Sequence, residues 1–242
     1  MKKSAEVFDK IVHERRSVRI YDNEAPFDET AVTRSLERAV LSPTSSNLQL
    51  WEFYRVKSES NKKKLAKICF NQNAAKTANE LIVIVVRNDK WKERASYVFE
   101  HSTKDYPESW AKRKELMHNY YNRLIPILYS QGPFGVLGNI KKISANISGV
   151  FRPVPREVTE TDMRISGHKS AALAAQTFML SMKAEGYDTC PMEGFDSKRV
   201  LSFLKLPKGA EINMIIAVGT AAPKGIYGDR VRVPNHHTIF EL

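Results

Sequence analysis

Cysteine is scarce in this chain: Cys69 and Cys190 are the only two in 242 residues. A disulfide framework is not expected at that density in a chain of this length. Neither a CxxC pair nor an HExxH motif occurs, and His236 and His237 are adjacent, which is poor ligand spacing on one helix face. No metal site is expected. A run of about 18 apolar residues is also missing, so no membrane-spanning helix is expected. Behind Lys2 and Lys3 there is no apolar stretch, because Glu6, Asp9 and Lys10 intervene. A secretory signal is therefore not expected, and the expected location is the cytoplasm. No GxGxxG follows a strand, and neither GxxxxGK[ST] nor GxSxG is present. These absences exclude a dinucleotide fold, a P-loop and a hydrolase elbow. Internal repeats and low-complexity linkers are absent as well.

What is present is an ordinary globular composition, 42% hydrophobic and 27% charged, with a formal net charge of +11. Residues 1–242 read as one sizeable domain. The excess charge is spread along the chain. Its one dense run, Lys62-Lys63-Lys64, lies on a helix whose other face is apolar and reads as a solvated face. A general attraction for anionic ligands is expected. Nucleic-acid binding is the alternative, and it rests on charge alone.

Helical spacing of Val7, Phe8, Ile11 and Val12 predicts a helix over 4–14. Asp28 is placed to cap a second helix ending near Leu41, and Ser58 a third running to about Ile68. Trp51–Lys57 alternates as a strand. Leu81–Val86 and Ile212–Val218 read as strands buried on both faces. A helix is predicted between Gly167 and Gly186, with Ala171, Ala174, Ala175, Phe178 and Met182 on one side. Cys190–Asp196 reads as a shaped turn with Pro and Gly, before another helix starting near Ser197. Residues 87–165 carry Trp91, Trp110, Tyr120, Tyr121 and Tyr129 in charged surroundings. Gln131–Pro155 shows little periodicity. This region reads either as a lid or partner-facing excursion, or as a helical surface layer with irregular connections.

Three constellations carry candidate chemistry. Arg15-Arg16-Ser17-Val18-Arg19 offers three guanidinium groups and a hydroxyl, suited to phosphate oxygens. A solvated basic helix end is the competing reading. Ser42-Pro43-Thr44-Ser45-Ser46-Asn47-Leu48-Gln49-Leu50-Trp51 offers donors and acceptors suited to a polar heterocycle, or is an ordinary turn. Arg230-Val231-Arg232, if extended, puts both guanidinium groups on one side, either to join the first cluster or as an exposed basic tail.

Taken together and in order, these segments resemble the nitroreductase family. Glu14–Asp22 is similar to its RRS-x-R/K-x-[FY] segment. Ser42–Phe53 is similar to SP-S-S-x-N-x-Q-P-W-x-F. Cys190–Asp196 is similar to the P-x-E-G-F-D turn of the branch nearest bacterial oxygen-insensitive nitroreductases and flavin reductases. Arg230–Pro234 is similar to the basic C-terminal clamp. The resemblance covers residues 10–90 and 165–235 and implies an α+β fold. That fold has a central mixed, mainly antiparallel sheet flanked by helices, and a C-terminal tail exchanged in a homodimer.

The resemblance also implies an FMN enzyme. Arg15, Arg16, Ser17 and Arg19 would meet phosphate, ribityl chain and one ring edge, with Arg230 and Arg232 completing the clamp. Pro43, Thr44, Ser45 and Asn47 would approach from the other subunit, and Asn71 would contact the ring. Pro191, Met192, Glu193 and Gly194 would line one ring face, with a backbone N–H of Glu193 or Gly194 as the catalytic donor near N5. A ping-pong cycle would run with NAD(P)H as co-substrate and a small electron-poor aromatic or quinone as acceptor. Relatives with dehalogenating, flavin-reducing or flavin-fragmenting chemistry keep the reaction open. Three positions depart from the pattern: Leu50 stands for the usual Pro, Glu52 for a common His, and Ala74 for a Lys of some relatives.

Overall fold

The structure is a computed structural model that describes residues 2–130, 132 and 135–242. Its helices are α1 (Lys3–Glu14), α2 (Glu29–Ala39), α3 (Glu59–Ile68), α4 (Asn73–Thr77), α5 (Trp91–Thr103), α6 (Ala111–Asn119), α7 (Ile125–Tyr129), α8 (Val136–Phe151), α9 (Glu160–Ala184) and α10 (Ser197–Phe203). Its strands are β1 (Trp51–Val56), β2 (Glu80–Arg87), β3 (Asp188–Met192) and β4 (Ala210–Gly219). They form one sheet in the order β1-β2-β4-β3, with every pair antiparallel. A single parallel bridge joins Ser17 to Thr189 on the edge strand. The architecture is α+β, as the sequence implied.

The apolar run in β2 follows from cover on both faces. Leu81, Val83 and Val85 join Leu65, Val200 and Tyr21 in one core. Ile82, Ile84 and Val86 point the other way, onto Ala171, Ala174, Ala175, Phe178 and Met182 of α9. Alternate residues of a strand face opposite sides, so a strand covered twice reads as continuously apolar. Between Ile84 and Val85 the pairing with β4 slips by one residue, and Asn213 is the extra one. Its amide turns out to the ring and backbone carbonyl of His168.

Several boundaries differ from the sequence reading. The long helix begins at Glu160, not after Gly167, and is closed by a reciprocal cap between Thr159 and Asp162. Gly167 is an interior residue of that helix. A Cβ there would lie 2.5 Å from Asn88 Oδ1 and 2.8 Å from Val86 Cγ1, so the glycine permits close packing. Asp28 caps α2 through Thr30 N–H at 2.8 Å, whereas Ser58 makes no side-chain cap on α3. Cys190, Pro191 and Met192 belong to β3, and the turn is confined to 193–196. Proline is tolerated there because β3 is an edge strand.

Residues 87–165 form mainly a helical layer. Leu48, Leu50, Ala95, Val98, Tyr121, Ile125 and Tyr129 make its own core. Gln131–Pro155, which lacked a visible period, contains the 16 residues of α8. Gln131, Pro133 and Phe134, within that stretch, lie outside the described residues. Gly138, Ala145 and Gly149 take one side of α8, while Val136, Ile140, Ile143, Ile147 and Val150 are exposed on the other.

Candidate functional site

Four sequence-distant segments meet at the β3 edge. Val18 N–H donates to Thr189 C=O at 3.1 Å, drawing 15–19 alongside β3. Arg19 N–H donates to Gly225 C=O at 2.6 Å, bringing in the C-terminal segment. Between them opens a cleft of about 470 Å³, lined chiefly by Arg15, Arg16, Ser17, Arg19, Arg230 and Arg232. Gln72, Asn73 and Ala74 form its third wall, and Tyr227 its rim. The volume falls within the range of about 300–1,000 Å³ usual for small-molecule sites.

The electrostatics are one-sided. Among the described residues, none of these five arginines forms an ion pair with a carboxylate, although Asp229 also borders the cleft. Burial, and then the positive charge of Arg230, Arg232 and Arg16, push the Arg15 guanidinium below its ordinary pKa. Like charges held together without a counter-charge repel. A multivalent anion seated among them would remove that cost. Arg15 and Arg19 also pull against the burial that raises the Cys190 thiol, which places both beside β3.

The two C-terminal arginines differ in role. Arg230 donates to the carbonyls of Val12 at 3.3 Å, His13 at 2.9 Å and Arg15 at 2.5 Å. It satisfies the orphan carbonyls that end α1 and so ties the tail to the cleft. Among the described residues, Arg232 donates only to its own neighbour, Val231 C=O. Arg16 holds Gly228 C=O at 2.8 Å.

The turn after β3 lies next to this cleft, linked through Gln72, whose amide donates to Gly194 C=O at 2.7 Å. Glu193 and Gly194 are exposed, and their N–H groups have no acceptor among the described residues. Pro191 is half-buried. Met192, expected to line a ligand face, is 2% exposed with its side chain in the core, because alternation along β3 turns it inward.

The remaining expected residues lie elsewhere. Asn71 borders a separate groove with Lys63, Lys67 and Lys76. Pro43, Ser45 and Asn47 are exposed and Thr44 half-buried, and none of them lines the arginine cleft of the same chain. Their loop has left-handed backbone at Ser46 (φ 53°), Asn47 (φ 53°) and Gln49 (φ 50°). Non-glycine residues hold that conformation only when the surroundings impose it. Here Tyr120 OH meets Ser46 Oγ at 2.8 Å, and Tyr121 OH donates to Ser46 C=O at 3.0 Å. The helical layer thus positions the loop. The three departures also find places. Leu50 is buried in the layer core. Glu52 accepts from Arg87 and Tyr54. Ala74 is buried at the cleft wall.

Gln72, Asn73 and Tyr227 were not expected from the sequence. A lone amide gives no motif signal. Their neighbour Asn71 was singled out, and in the structure Phe70 (φ 56°) and Asn71 (φ 55°) are also left-handed.

An antiparallel sheet covered on both faces, with an arginine-lined cleft at its edge strand, defines an α+β protein. The chain belongs to the nitroreductase family, whose model matches residues 12–220, and it is an oxidoreductase of that fold. It is 27% identical over 228 residues to YdgI of Bacillus subtilis, named an NAD(P)H nitroreductase, covering 93% of this chain and 94% of YdgI. In fold it is similar to ydfN of the same organism (TM-score 0.76, 21% identity, 99% of this chain and 100% of the other). It is also similar to a structure from Exiguobacterium sibiricum solved in complex with FMN (TM-score 0.66, 24% identity, 97% of each chain). No helix among the described residues is long and apolar enough to cross a membrane.

Proposed function

We propose that this chain is a single-domain, cytoplasmic, homodimeric FMN oxidoreductase. It would use NAD(P)H to reduce nitroaromatics, quinones or similar electron-poor acceptors in a ping-pong cycle. The observation that carries this reading is the cluster of five arginines, none ion-paired with a carboxylate among the described residues, beside a turn whose N–H groups have no acceptor there. A phosphate monoester carries about −1.5 to −2 charge near neutral pH, which would offset part of that excess. The convergence of the guanidinium groups in a concave cleft suits a compact ligand better than a nucleic-acid backbone. The FMN bound to one neighbour in fold supports the choice of cofactor, and the names of relatives support NAD(P)H as co-substrate.

FMN, when bound, supplies hydride acceptance and donation at N5. Arg15, Arg16, Ser17 and Arg232 would hold its phosphate and ribityl chain. Arg230 would fix the tail segment that carries Arg232. Arg19 would place positive charge at the ring edge. The N–H groups of Glu193 and Gly194 would donate toward N5, fixed dipoles that need no reorganisation during reaction. Pro43, Thr44, Ser45 and Asn47 would reach the ring of the partner subunit, since they stand away from the cleft of their own chain. The exposed apolar faces of α1 and α8 support such an association.

The test is direct. The apo protein should quench FMN fluorescence at one site per chain, and the loaded protein should be bleached by NADH or NADPH under nitrogen. An acceptor panel should include nitroaromatics, quinones, enones, halogenated phenols and free flavins. A protein that binds no flavin, or whose flavin neither nucleotide reduces, would sink the reading.

A further inference from the structure

The turn after β3 is held by its carbonyl groups. Glu193 C=O accepts from Phe195 N–H at 3.1 Å, closing a three-residue turn over Gly194. Gly194 C=O accepts from Gln72 Nε2 at 2.7 Å. The same nitrogen donates to Cys69 C=O at 3.1 Å, so both protons of the Gln72 amide are used. Asp196 N–H donates to Ile68 C=O at 3.1 Å, fixing the far side of the turn on the end of α3. The carbonyls of 193 and 194 are thus occupied, while the N–H groups of 193 and 194 have no acceptor among the described residues.

The elements around Gln72 fit this arrangement. Phe70 and Asn71 take left-handed backbone, at φ 56° and 55°, to deliver Gln72 to the turn. Such a conformation in non-glycine residues persists where the surroundings over-determine it. Gly194 has no left-handed φ of its own, so its backbone does not demand glycine. Space does: a Cβ at 194 would lie 3.1 Å from Gln72 Nε2. The atom that this glycine makes room for is the Gln72 amide nitrogen.

We propose that Gln72 is a positioning residue that locks the Gly194–Phe195 peptide with its carbonyl turned inward, so that the turn shows only N–H donors to the ligand. The consequence for a flavin rests on the FMN reading above. N5 of the oxidised ring accepts a hydrogen bond, whereas N5 of the reduced ring carries a proton and seeks an acceptor. A locked turn offers a donor in both states. An unlocked peptide is free to turn its carbonyl outward and accept from the reduced ring. Gln72 therefore holds the potential of the bound cofactor down.

Gln72→Met keeps length and removes both donors. Its first test needs no cofactor. In the apo protein the amides of Phe195 and Asp196 should exchange with deuterium about tenfold faster or more, with β2 and β4 unchanged. Unaltered exchange overturns the lock. In the second test, Gln72→Met is saturated with FMN before titration, since Gln72 itself forms part of the cleft wall. The midpoint potential of its FMN should rise by about 30 mV, a tenfold shift in relative affinity for a two-electron couple. Faster exchange with an unshifted potential overturns the consequence for the flavin. Wild type that binds no FMN overturns the functional reading instead, and the exchange result still decides the lock. Gly194→Ala crowds the amide from the other side and serves if Gln72→Met does not fold. It should move both readouts in the same direction by less, and the double variant should add nothing to Gln72→Met. Wild-type exchange in Gly194→Ala, with Gln72→Met unfolded, also overturns the lock.

Discussion

Two apolar segments of this chain end in opposite surroundings. In β2 the side chains from Leu81 to Val86 are all fully buried, covered by α9 on one face and by α3 and α10 on the other. In α8 Val136, Ile140, Ile143, Ile147 and Val150 are 54–77% exposed. Their spacing of four, three, four and three residues puts them on one stripe. The small residues of α8 face inward instead. A Cβ on Gly138 would sit 3.6 Å from Thr159 Cα, and one on Gly149 would run into the Arg156 guanidinium. An apolar pattern therefore reports that cover is needed and leaves its source open. β2 finds cover within the chain, whereas the stripe on α8 stays exposed.

That contrast can be tested from its stronger side first. Phe178→Ala in α9 empties a fully buried position under the sheet and should cost about 3–5 kcal/mol, read by urea unfolding. A loss near zero would mean that the sheet is not the source of stability. The arginine cleft comes next. Arg15→Ala combined with Arg232→Ala should weaken FMN binding about 100-fold or more, since each charge-assisted hydrogen bond contributes about 1.5–3 kcal/mol. Far-UV circular dichroism should be unchanged. Retained affinity would remove the clamp from the proposal.

On the α8 side, Ile143→Asp with Ile147→Asp should leave the unfolding free energy of the isolated chain within about 0.5 kcal/mol. The same pair should weaken self-association about tenfold or more, followed by analytical ultracentrifugation. A large loss of chain stability would show that the stripe is covered from within after all. The smallest effect concerns surface charge. Hydrogen bonds from Arg34 and then Arg38 hold the Glu185 carboxyl down at about 2, against about 4.3 in an unfolded chain. With the folded pKa depressed, the unfolded state binds more protons as pH falls. The stabilisation is present above about pH 4.5 and is lost toward pH 2. Glu185→Gln should flatten that part of the melting temperature–pH curve. An unchanged slope would show that the pair is fully screened.

Much of the fold was legible because local rules and tertiary demands agree. Asp28 before a periodic run marked α2, and the β-branched stretch at 81–86 marked the central strand. Gly167 misled because it was read as a boundary, when its lack of a Cβ serves packing inside a helix. α8 was illegible because its glycines, serines and asparagines dilute the apolar period, and its stripe faces away from the chain that carries it. Within the site, the arginines at both ends were readable as candidate anion ligands by their chemistry, and the fold brings them to one cleft. That Arg230 spends its donors on the end of α1 was not, because carbonyls without partners at a helix end have no sequence signature.

The sequence by itself determined the residue types: guanidinium groups at 15–19 and 230–232, a turn with Pro and Gly at 190–196, and continuously apolar strands that require cover on both faces. The tertiary structure decided which of these meet. Val18 and Thr189 are bonded across 171 positions of chain, Arg19 and Gly225 across 206, and Gln72 and Gly194 across 122. Contacts at such separation are set by the order β1-β2-β4-β3 and by which strand lies at the edge. Local propensity acts over a few residues and carries no information about that order.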